Sequence, residues 1–303
     1  MKPSSFSVIC TNSSAHELKG LLLSLSIFHT GVNVYIISDN ETKLYIENMC
    51  QYKDLTIHIK WFVELDKYTN MNRSMMEKEG IFTEFLNNKA IVIKKALNYE
   101  KDTLLLDCDI VITHPIDQVF KNINSGQLYM HVREGLVSDR GNKVLAKVND
   151  HYKNKSPLKI KGKPVHEFAM WNAGVLGFNT KYAHVLDEVL TFTDSEYPNF
   201  PKHIIEQFAF SIYFQQAGLV KAAAPYIFHY WNLKEARDIL SSFFDHFKDK
   251  NWDELTQYSS LVQMHALMQD KANFYRNRGM LGSMTSKKWL PEKQDWNELI
   301  KQL

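Results

Sequence analysis

Cysteine is scarce in this sequence. The 303 residues contain three cysteines, Cys10, Cys50 and Cys108. They lie far apart in the chain and lack the Cys-x-x-Cys spacing that is common in zinc sites. The sequence therefore predicts neither a disulfide framework nor a structural zinc site, and it favours a reducing, cytoplasmic compartment.

The sequence also has little net charge and no long hydrophobic run. A formal net charge of +2 gives no reason to expect nucleic acid, which is the partner that a strongly basic chain suggests. No segment approaches the roughly 18 consecutive apolar residues that would span a bilayer, and the first residues lack an apolar signal-peptide region. We therefore expect neither a nucleic-acid partner nor a membrane-spanning helix.

Apolar residues, in contrast, make up 45% of the chain, which is ample for the core of one large α/β domain, with or without an appendage. Strand-like and helix-like segments alternate along the N-terminal part. The strands are predicted at 6–10, 32–37, 55–62 and 103–112, and the helices at 15–29, 41–50 and 89–97. This alternation predicts an α/β fold with a mostly parallel central sheet flanked by helices.

The C-terminal part has a different pattern. Residues 136–163 are polar and rich in lysine, which predicts either a long mobile loop over a site or a charged linker. Strand character returns at 168–179, and helices are predicted at 183–192 and 203–217. Amphipathic segments at 233–247, 252–268 and 296–303 predict a helical C-terminal cap. The predicted organisation is a main domain over 1–235 and a helical extension over 236–303.

The most informative segment is the apolar run from Thr103 to Ile112, which contains Asp107 and Asp109. At the carboxyl end of a buried strand, these carboxylates can reach the crevice where α/β sheets bind ligands. A pair of carboxylates suits Mg²⁺ or Mn²⁺ that holds a phosphate. The alternative is a structural pair that is satisfied by hydrogen bonds.

Four segments resemble, in the same order, motifs of the nucleotide-sugar glycosyltransferases of the GT-A fold. The resemblance is closest to glycosyltransferase family 8, the galactosyltransferase-type group, and covers about residues 5–235. Asp107-Cys108-Asp109 matches the Asp-x-Asp metal motif of that family. Trp171-Asn172-Ala173-Gly174-Val175 matches its Phe-Asn-Ala-Gly-Val segment.

The third and fourth motifs depart from the family pattern. Glu206-Gln207-Phe208 stands where the family has Asp-Gln-Asp at the head of a helix. The segment from His229 to Lys234 approximates His-x-x-Gly-x-x-Lys, but Asn232 replaces the glycine and the lysine arrives one residue early. A protein that resembles this family is expected to have the GT-A (Rossmann-like) fold.

The resemblance implies an activity and a cofactor. The activity is metal-dependent transfer of a hexosyl group from a nucleotide-diphosphate sugar, with a UDP-sugar favoured, to a glycan or lipid-linked acceptor, with retention of configuration. Mn²⁺ (or Mg²⁺) would be held by Asp107, Asp109 and His229. Without the resemblance, His229 would be interpreted as a core histidine between Phe228 and Tyr230.

The resemblance also implies roles for substrate-binding and catalytic residues. The binding residues would be Thr11 and Asn12 for the nucleoside, Lys89 and Lys234 for the donor phosphate or sugar, Asn172, Ala173 and Gly174 beneath the donor sugar, and Trp231 for stacking on a sugar or a base. Gln207 would face the anomeric carbon, and Glu206 beside it would act as a positioning or electrostatic group.

Other functions fit parts of the pattern. Four apolar residues followed by Asp-x-Asp also describe the nucleophile strand of haloacid-dehalogenase-type phosphatases, although that motif usually lies on the first strand of its domain. A non-catalytic protein of this fold could bind a sugar or a partner through its aromatic C-terminal region. A sugar-activating nucleotidyltransferase is disfavoured, because the turn after the first strand has no glycine before Gly20.

The C-terminal region suggests one further contact. Lys287, Lys288, Trp289 and Trp296 could touch an anionic membrane surface, which would make the protein peripheral at the inner membrane face. A solvated amphipathic helix is the alternative interpretation of these residues.

Overall fold

A computed structural model describes residues 4–49, 52–155, 159–160, 162–277 and 288–301. Cys50 and Lys287 therefore lie outside the described residues. The strands are β1 (Ser5–Cys10), β2 (Asn33–Ser38), β3 (His58–Val63), β4 (Asp102–Leu106), β5 (Ile110–Ile112), β6 (Leu128–Met130), β7 (Arg133–Leu136), β8 (Lys159–Ile160), β9 (Lys163–Pro164), β10 (Ala169–Trp171), β11 (Val175–Asn179), β12 (Val220–Ala222) and β13 (Ile227–His229). The α-helices are α1 (Ala15–Phe28), α2 (Asn40–Glu47), α3 (Arg73–Lys78), α4 (Phe82–Leu97), α5 (Asp117–Asn124), α6 (Lys143–Asn149), α7 (Ala183–Glu196), α8 (Ile205–Ala217), α9 (Ala236–His246), α10 (Trp252–Tyr258), α11 (Met264–Asn277) and α12 (Trp296–Ile300).

A seven-stranded sheet with the order β12-β6-β11-β4-β1-β2-β3 forms the centre of the molecule. β11 runs antiparallel to both of its neighbours, whereas the other adjacent pairs are parallel. Within the described ranges, three antiparallel pairs lie outside this sheet, namely β5 with β13, β7 with β10, and β8 with β9. The prediction of a mostly parallel sheet flanked by helices is confirmed.

Helices cover both faces of the sheet, which explains why its central strands are apolar on both faces. Leu104 and Leu106 of β4 face the core that is shared with α1 and α9. Leu105, which points to the opposite face, belongs to a second core with α4, α7 and α8. Every residue of β4 is buried as a result.

Of the C-terminal helices, α9 and α10 pack on α1, and the cap joins the first of these cores. Phe243 of α9, Trp252 of α10 and Trp296 of α12 are buried in it. The helical cap is confirmed, but the predicted helix over 252–268 is two helices separated by a turn at Ser259–Leu261. The domain boundary after residue 235 stays a prediction.

The prediction of a long mobile loop or linker over 136–163 is wrong for the described part of that segment. It forms α6, a further helical stretch over Asp150–Lys155 and the short hairpin of β8 and β9. Leu145, Val148 and Tyr152 are buried against the second core. Three well-spaced apolar side chains thus anchor a segment whose composition is otherwise polar.

The suggested membrane contact loses two of its residues. Trp289 and Trp296 are each only 4% exposed. Their indole N–H groups donate to Asp270 Oδ2 at 2.9 Å and to Ser242 Oγ at 3.0 Å. Both rings are therefore buried inside the cap. Of the residues suggested for membrane contact, Lys288 is the one that is both described and exposed. Among the described residues, none of the helices is both long and apolar enough to cross a bilayer.

Candidate active site

The predicted strand over 103–112 is interrupted at the two aspartates. β4 ends at Leu106, and β5 leaves the central sheet to pair with β13, so that Ile110 lies opposite His229. The backbone N–H of Tyr230 donates to the carbonyl oxygen of Asp109 at 3.0 Å. This pairing brings a histidine from late in the chain to the Asp-x-Asp segment.

Asp107, Asp109 and His229 form a cluster that could hold a metal ion. Each offers one ligand atom, and these atoms all lie within 4.8 Å of one another. His229 Nε2 lies 3.0 Å from Asp109 Oδ1. Two carboxylate oxygens and one imidazole nitrogen suit Mn²⁺ or Mg²⁺ better than thiophilic ions. The residues present therefore fit the divalent cation that the motif resemblance implies.

His229 is tightly enclosed by its neighbours. A Cβ atom at Gly174 would lie 2.3 Å from His229 Cε1, so the ring occupies the space that a side chain at position 174 would need. The ring of His131 packs edge-on against it with centroids 5.2 Å apart. Burial, reinforced by the nearby His229, lowers the pKa of His131 to about 4. His131 is therefore a neutral packing partner for His229 at neutral pH.

Lys89, from α4, is the central cation of the site. Its Nζ lies 2.9 Å from Asp107 Oδ1 and donates to the carbonyl oxygen of Ala173 at 3.1 Å. Burial acts to lower the pKa of the Lys89 ammonium, but Asp107 and then Glu206 outweigh burial and raise it. Lys89 therefore remains charged and partly neutralises Asp107.

Asp109 and Glu206 respond differently to burial. Burial acts to raise the pKa of Asp109, but hydrogen bonding and attraction to His229 lower it below its ordinary value. Burial raises the pKa of Glu206 to about 7, with Lys89 opposing the change and Asp107 adding to it. Among the described residues Glu206 Oε1 has no hydrogen-bond partner, and it lies 3.9 Å from Lys89 Nζ. Glu206 is thus a buried carboxyl group that changes protonation near neutral pH.

Two cavities meet at Lys89, Asp107, Asp109 and Glu206. The β1 cavity, of about 210 Å³, is also lined by Cys10 and Thr11 at the end of β1, and by Glu17 and Arg237. The α8 cavity, of about 400 Å³, is also lined by Glu134, Asn172, Gln207 and Trp231. The predicted metal ligands thus lie on the boundary between two chemically different spaces.

Arg237 and Glu134 are site residues that the motif resemblance did not identify. Arg237 Nε lies 3.0 Å from Glu17 Oε2, and burial raises the pKa of Glu17 even though Arg237 acts to lower it. Glu134 Oε2 accepts a hydrogen bond from Gln207 Nε2 at 3.0 Å. Arg237 follows the fourth motif and Glu134 precedes the second, so neither lies within a matched segment.

Most of the predicted site residues converge. The predicted residues that line one or both cavities are Thr11, Lys89, Asp107, Asp109, Asn172, Gly174, Glu206, Gln207, His229 and Trp231. Ala173 takes part through its backbone, because its N–H lies 3.5 Å from Gln207 Oε1 and its carbonyl oxygen contacts Lys89.

Asn12 and Lys234 do not join them. The Asn12 amide nitrogen Nδ2 donates to Glu41 Oε2 at 2.8 Å, and its backbone N–H donates to Asp39 Oδ2 at 2.8 Å. Lys234 is exposed, and neither residue is among the described residues that line the two cavities. Their predicted contacts with the donor have no support in this geometry.

Sequence comparisons give no match, either to a family model or to a curated protein. Comparison of structures finds similarity to mouse xyloside xylosyltransferase 1 in its apo form, with a TM-score of 0.47 and 13% identity over 73% of this chain and 85% of that chain. The galactosyltransferase LgtC, in complex with donor and acceptor sugar analogues, matches with a TM-score of 0.46 and 12% identity over 71% and 72% of the two chains. The apo form of the glycosyltransferase GlyE of Streptococcus pneumoniae TIGR4 matches with a TM-score of 0.45 and 11% identity over 86% and 64%.

All three of these structures are named as glycosyltransferases, which is the class that the sequence motifs resemble. At such low identity and TM-score, the similarity by itself carries no argument about the activity of this chain. The function has to be inferred from the side chains that line the two cavities.

Proposed function

We propose that this protein is a glycosyltransferase that moves a hexosyl group from a nucleotide-diphosphate sugar to a hydroxyl group of a glycan or lipid-linked saccharide. The observation that carries this proposal is the convergence of Asp107, Asp109 and His229 at the junction of two cavities. One cavity contains an arginine and the other contains amides and an exposed tryptophan. The preference for UDP and the retention of configuration rest on the motif resemblance.

Asp107, Asp109 and His229 would hold Mn²⁺ or Mg²⁺. When bound, the cation would supply Lewis-acid stabilisation of the negative charge that develops on the departing nucleoside diphosphate.

Two positively charged side chains would help to neutralise this negative charge. Lys89 and Arg237 are paired with Asp107 and Glu17, and a diphosphate would offer each of them a more highly charged partner. The planar guanidinium of Arg237 is suited to bidentate contact with phosphate oxygens. In this proposal Arg237 takes the phosphate-binding role that the motif resemblance gave to Lys234.

The α8 cavity would hold the sugar. The bond between the anomeric carbon and the diphosphate oxygen would break, and its electron pair would leave with the nucleoside diphosphate. The acceptor oxygen would bond to that carbon, and its hydroxyl proton would pass to the departing diphosphate. Gln207, held by Glu134, would face the anomeric carbon. Trp231 is 53% exposed and would stack on the donor or acceptor sugar. Glu206 would adjust the charge between the two cavities through its protonation, because it lies at their junction.

Calorimetric titration of UDP, GDP and CMP, with and without Mn²⁺, tests the proposal. We expect one nucleoside diphosphate to bind only when Mn²⁺ is present. Lys89 competes with a metal ion for Asp107, and a diphosphate would draw Lys89 away from Asp107. The nucleotide and the metal ion would therefore each favour binding of the other. If none of the three nucleotides binds under either condition, the proposal is wrong. If one binds equally well in the presence of EDTA, the metal assignment is wrong.

A further inference from the structure

The amide group of Asn172 has a defined orientation. Its Oδ1 atom accepts a hydrogen bond from the backbone N–H of Gly174 at 3.0 Å, and this N–H can only donate. Its Nδ2 atom donates to Glu134 Oε1 at 3.1 Å, and an ionised carboxylate can only accept. The two contacts identify the oxygen and nitrogen ends of an amide that are otherwise hard to distinguish.

This orientation determines what His229 must do. Asn172 Oδ1 lies 3.0 Å from His229 Nδ1, and because the oxygen cannot donate, Nδ1 must carry a proton. In a neutral imidazole with its proton on Nδ1, the lone pair is on Nε2. His229 Nε2 is the atom that faces Asp109 Oδ1. In the absence of a cation, Nε2 can only donate to the Asp109 carboxylate. A bound metal ion would replace the proton on Nε2, because Asn172 holds the proton on Nδ1.

The backbone around Asn172 keeps this arrangement in place. The Asn172 N–H donates to the carbonyl oxygen of Val132 at 2.9 Å, and the His131 N–H donates to the Asn172 carbonyl oxygen at 3.1 Å. The carbonyl oxygen of Gly174 accepts from the backbone N–H of Asp107 at 2.8 Å. The turn from Asn172 to Gly174 is thus joined both to the histidine and to the first aspartate of the cluster.

We propose that Asn172, oriented by Glu134, is a positioning residue that fixes the tautomer and ring orientation of His229 for metal binding. This role differs from the sugar contact that the motif resemblance assigns to Asn172, and it rests on the metal site of the proposed function. Outer-shell partners of this kind typically change metal affinity about 10- to 100-fold when they are removed. Glu134 also holds Gln207, so one carboxylate orients residues on both sides of the α8 cavity.

The first test is Asn172→Ala, studied by Mn²⁺ titration with UDP present and by NMR of ¹⁵N-histidine-labelled, metal-free protein. We expect about a 10- to 100-fold loss of Mn²⁺ affinity and loss of the proton on His229 Nδ1, which no longer has an acceptor. The His229 signal is assigned by its absence in a His229→Asn variant. Using UDP without a sugar matters, because a residue that only contacts the sugar would leave this affinity unchanged.

The second test reverses the polarity of the network while keeping its total charge. Glu134→Gln alone leaves a single acceptor oxygen for two amide donors and is expected to lower Mn²⁺ affinity. In the double variant Glu134→Gln/Asn172→Asp, the new glutamine can donate to the new aspartate and still accept from Gln207. The aspartate can still accept from Gly174 and His229. We expect the double variant to restore the proton on His229 Nδ1 and most of the Mn²⁺ affinity.

Asn199→Ala is the matched control, because Asn199 is exposed and its Nδ2 donates to the carbonyl oxygen of Ser195 at 3.4 Å. It should change neither readout. A retained proton on His229 Nδ1 with unchanged Mn²⁺ affinity in Asn172→Ala, or no recovery in the double variant, would overturn the inference. If the unsubstituted protein binds no Mn²⁺ with UDP, the proposed metal site is wrong. The proton on His229 Nδ1 still decides, independently of that result, whether Asn172 positions His229.

Discussion

The two cavities share the same pair of aspartates but present different chemistry. The β1 cavity contains an arginine and its carboxylate partner, Arg237 and Glu17. The α8 cavity contains the amides of Asn172 and Gln207, which Glu134 holds in place. Exchangeable ion pairs suit a diphosphate, whereas fixed amides suit the hydroxyl groups of a sugar. In the proposed function, one cluster would therefore contact both halves of a donor molecule.

Asp109 belongs to the pair of aspartates that the two cavities share. We expect Asp109→Ala to have the largest effect on Mn²⁺ binding. Mn²⁺ affinity should fall by more than about 100-fold, the upper end for outer-shell changes, because a direct ligand is lost. The backbone contact of residue 109 with Tyr230 does not need the side chain, so the fold should persist. Calorimetry and circular dichroism measure the two properties.

Asp187→Ala is the control for this change, since Asp187 forms an exposed ion pair with Lys94 and such pairs contribute little. Undiminished Mn²⁺ binding by Asp109→Ala would remove Asp109 from the proposed cluster.

The next largest effect should come from Gly174→Ala, because the added Cβ would lie 2.5 Å from His229 Nδ1 and must displace the ring. We expect Mn²⁺ affinity to fall by at least about tenfold, as for loss of a ligand-orienting contact. Gly177→Ala in β11 is the matched control. Its Cβ would lie 2.7 Å from Tyr129 Cβ, so it should lower the unfolding temperature without changing the Mn²⁺ affinity of the folded protein. Equal Mn²⁺ affinities for the two variants would contradict the role of Gly174 in packing His229.

A smaller effect is expected in the β1 cavity alone. Arg237→Met should weaken UDP binding in the presence of Mn²⁺ by about tenfold, which corresponds to about 1.5 kcal/mol, the lower end for a hydrogen bond to a charged group. It should leave binding of Mn²⁺ alone nearly unchanged. Lys234→Met, three residues earlier and exposed, should have no effect on either titration. The reverse pattern would return the phosphate-binding role to Lys234.

The last expected effect concerns stability rather than binding. Glu206 has an ordinary pKa of 4.5 that burial raises to about 7 in the folded protein. Folding therefore favours the protonated form, so this contribution is fully present below about pH 4.5 and is lost as pH rises through about 7.

The Glu206→Gln variant has no ionisable group at position 206. The difference in free energy of unfolding, variant minus unsubstituted protein, should therefore increase by up to about 3 kcal/mol as the pH rises from about 4.5 to about 7. Urea unfolding in EDTA at several pH values measures the difference. A difference that is independent of pH would show that Glu206 is not a raised-pKa group.

Local sequence patterns predicted much of the fold. The apolar runs at β1, β2 and β4 and the amphipathic pattern of α4 carry enough information to identify these elements. The breaks within 103–112 and 168–179 could not be predicted, because they depend on distant partners. β5 leaves the sheet to pair with β13, and the turn at Asn172 to Gly174 is fixed by contacts with Val132 and Asp107.

The candidate site divides in the same way. Motif order predicted Asp107, Asp109 and His229, which do converge. Glu134 and Arg237 could not be predicted as site residues, because only the packing of β7 and α9 brings them to the two cavities. Trp289 was misplaced at a membrane surface because an amphipathic pattern does not reveal whether its apolar side meets lipid or another helix. Here the cap covers it.

The most direct test of the proposed function is cleavage of the bond between sugar and diphosphate. A panel of UDP-sugars is incubated with the protein in Mn²⁺ and in EDTA, beside Asp109→Ala, and UDP release and the anomeric signal of the released sugar are followed by NMR. We predict release of UDP from one donor, only with Mn²⁺, not by the variant, and with the anomeric configuration of the donor retained. Hydrolysis of a generic phosphomonoester that Asp107→Asn abolishes, without cleavage of any UDP-sugar, would contradict the account and indicate a phosphatase.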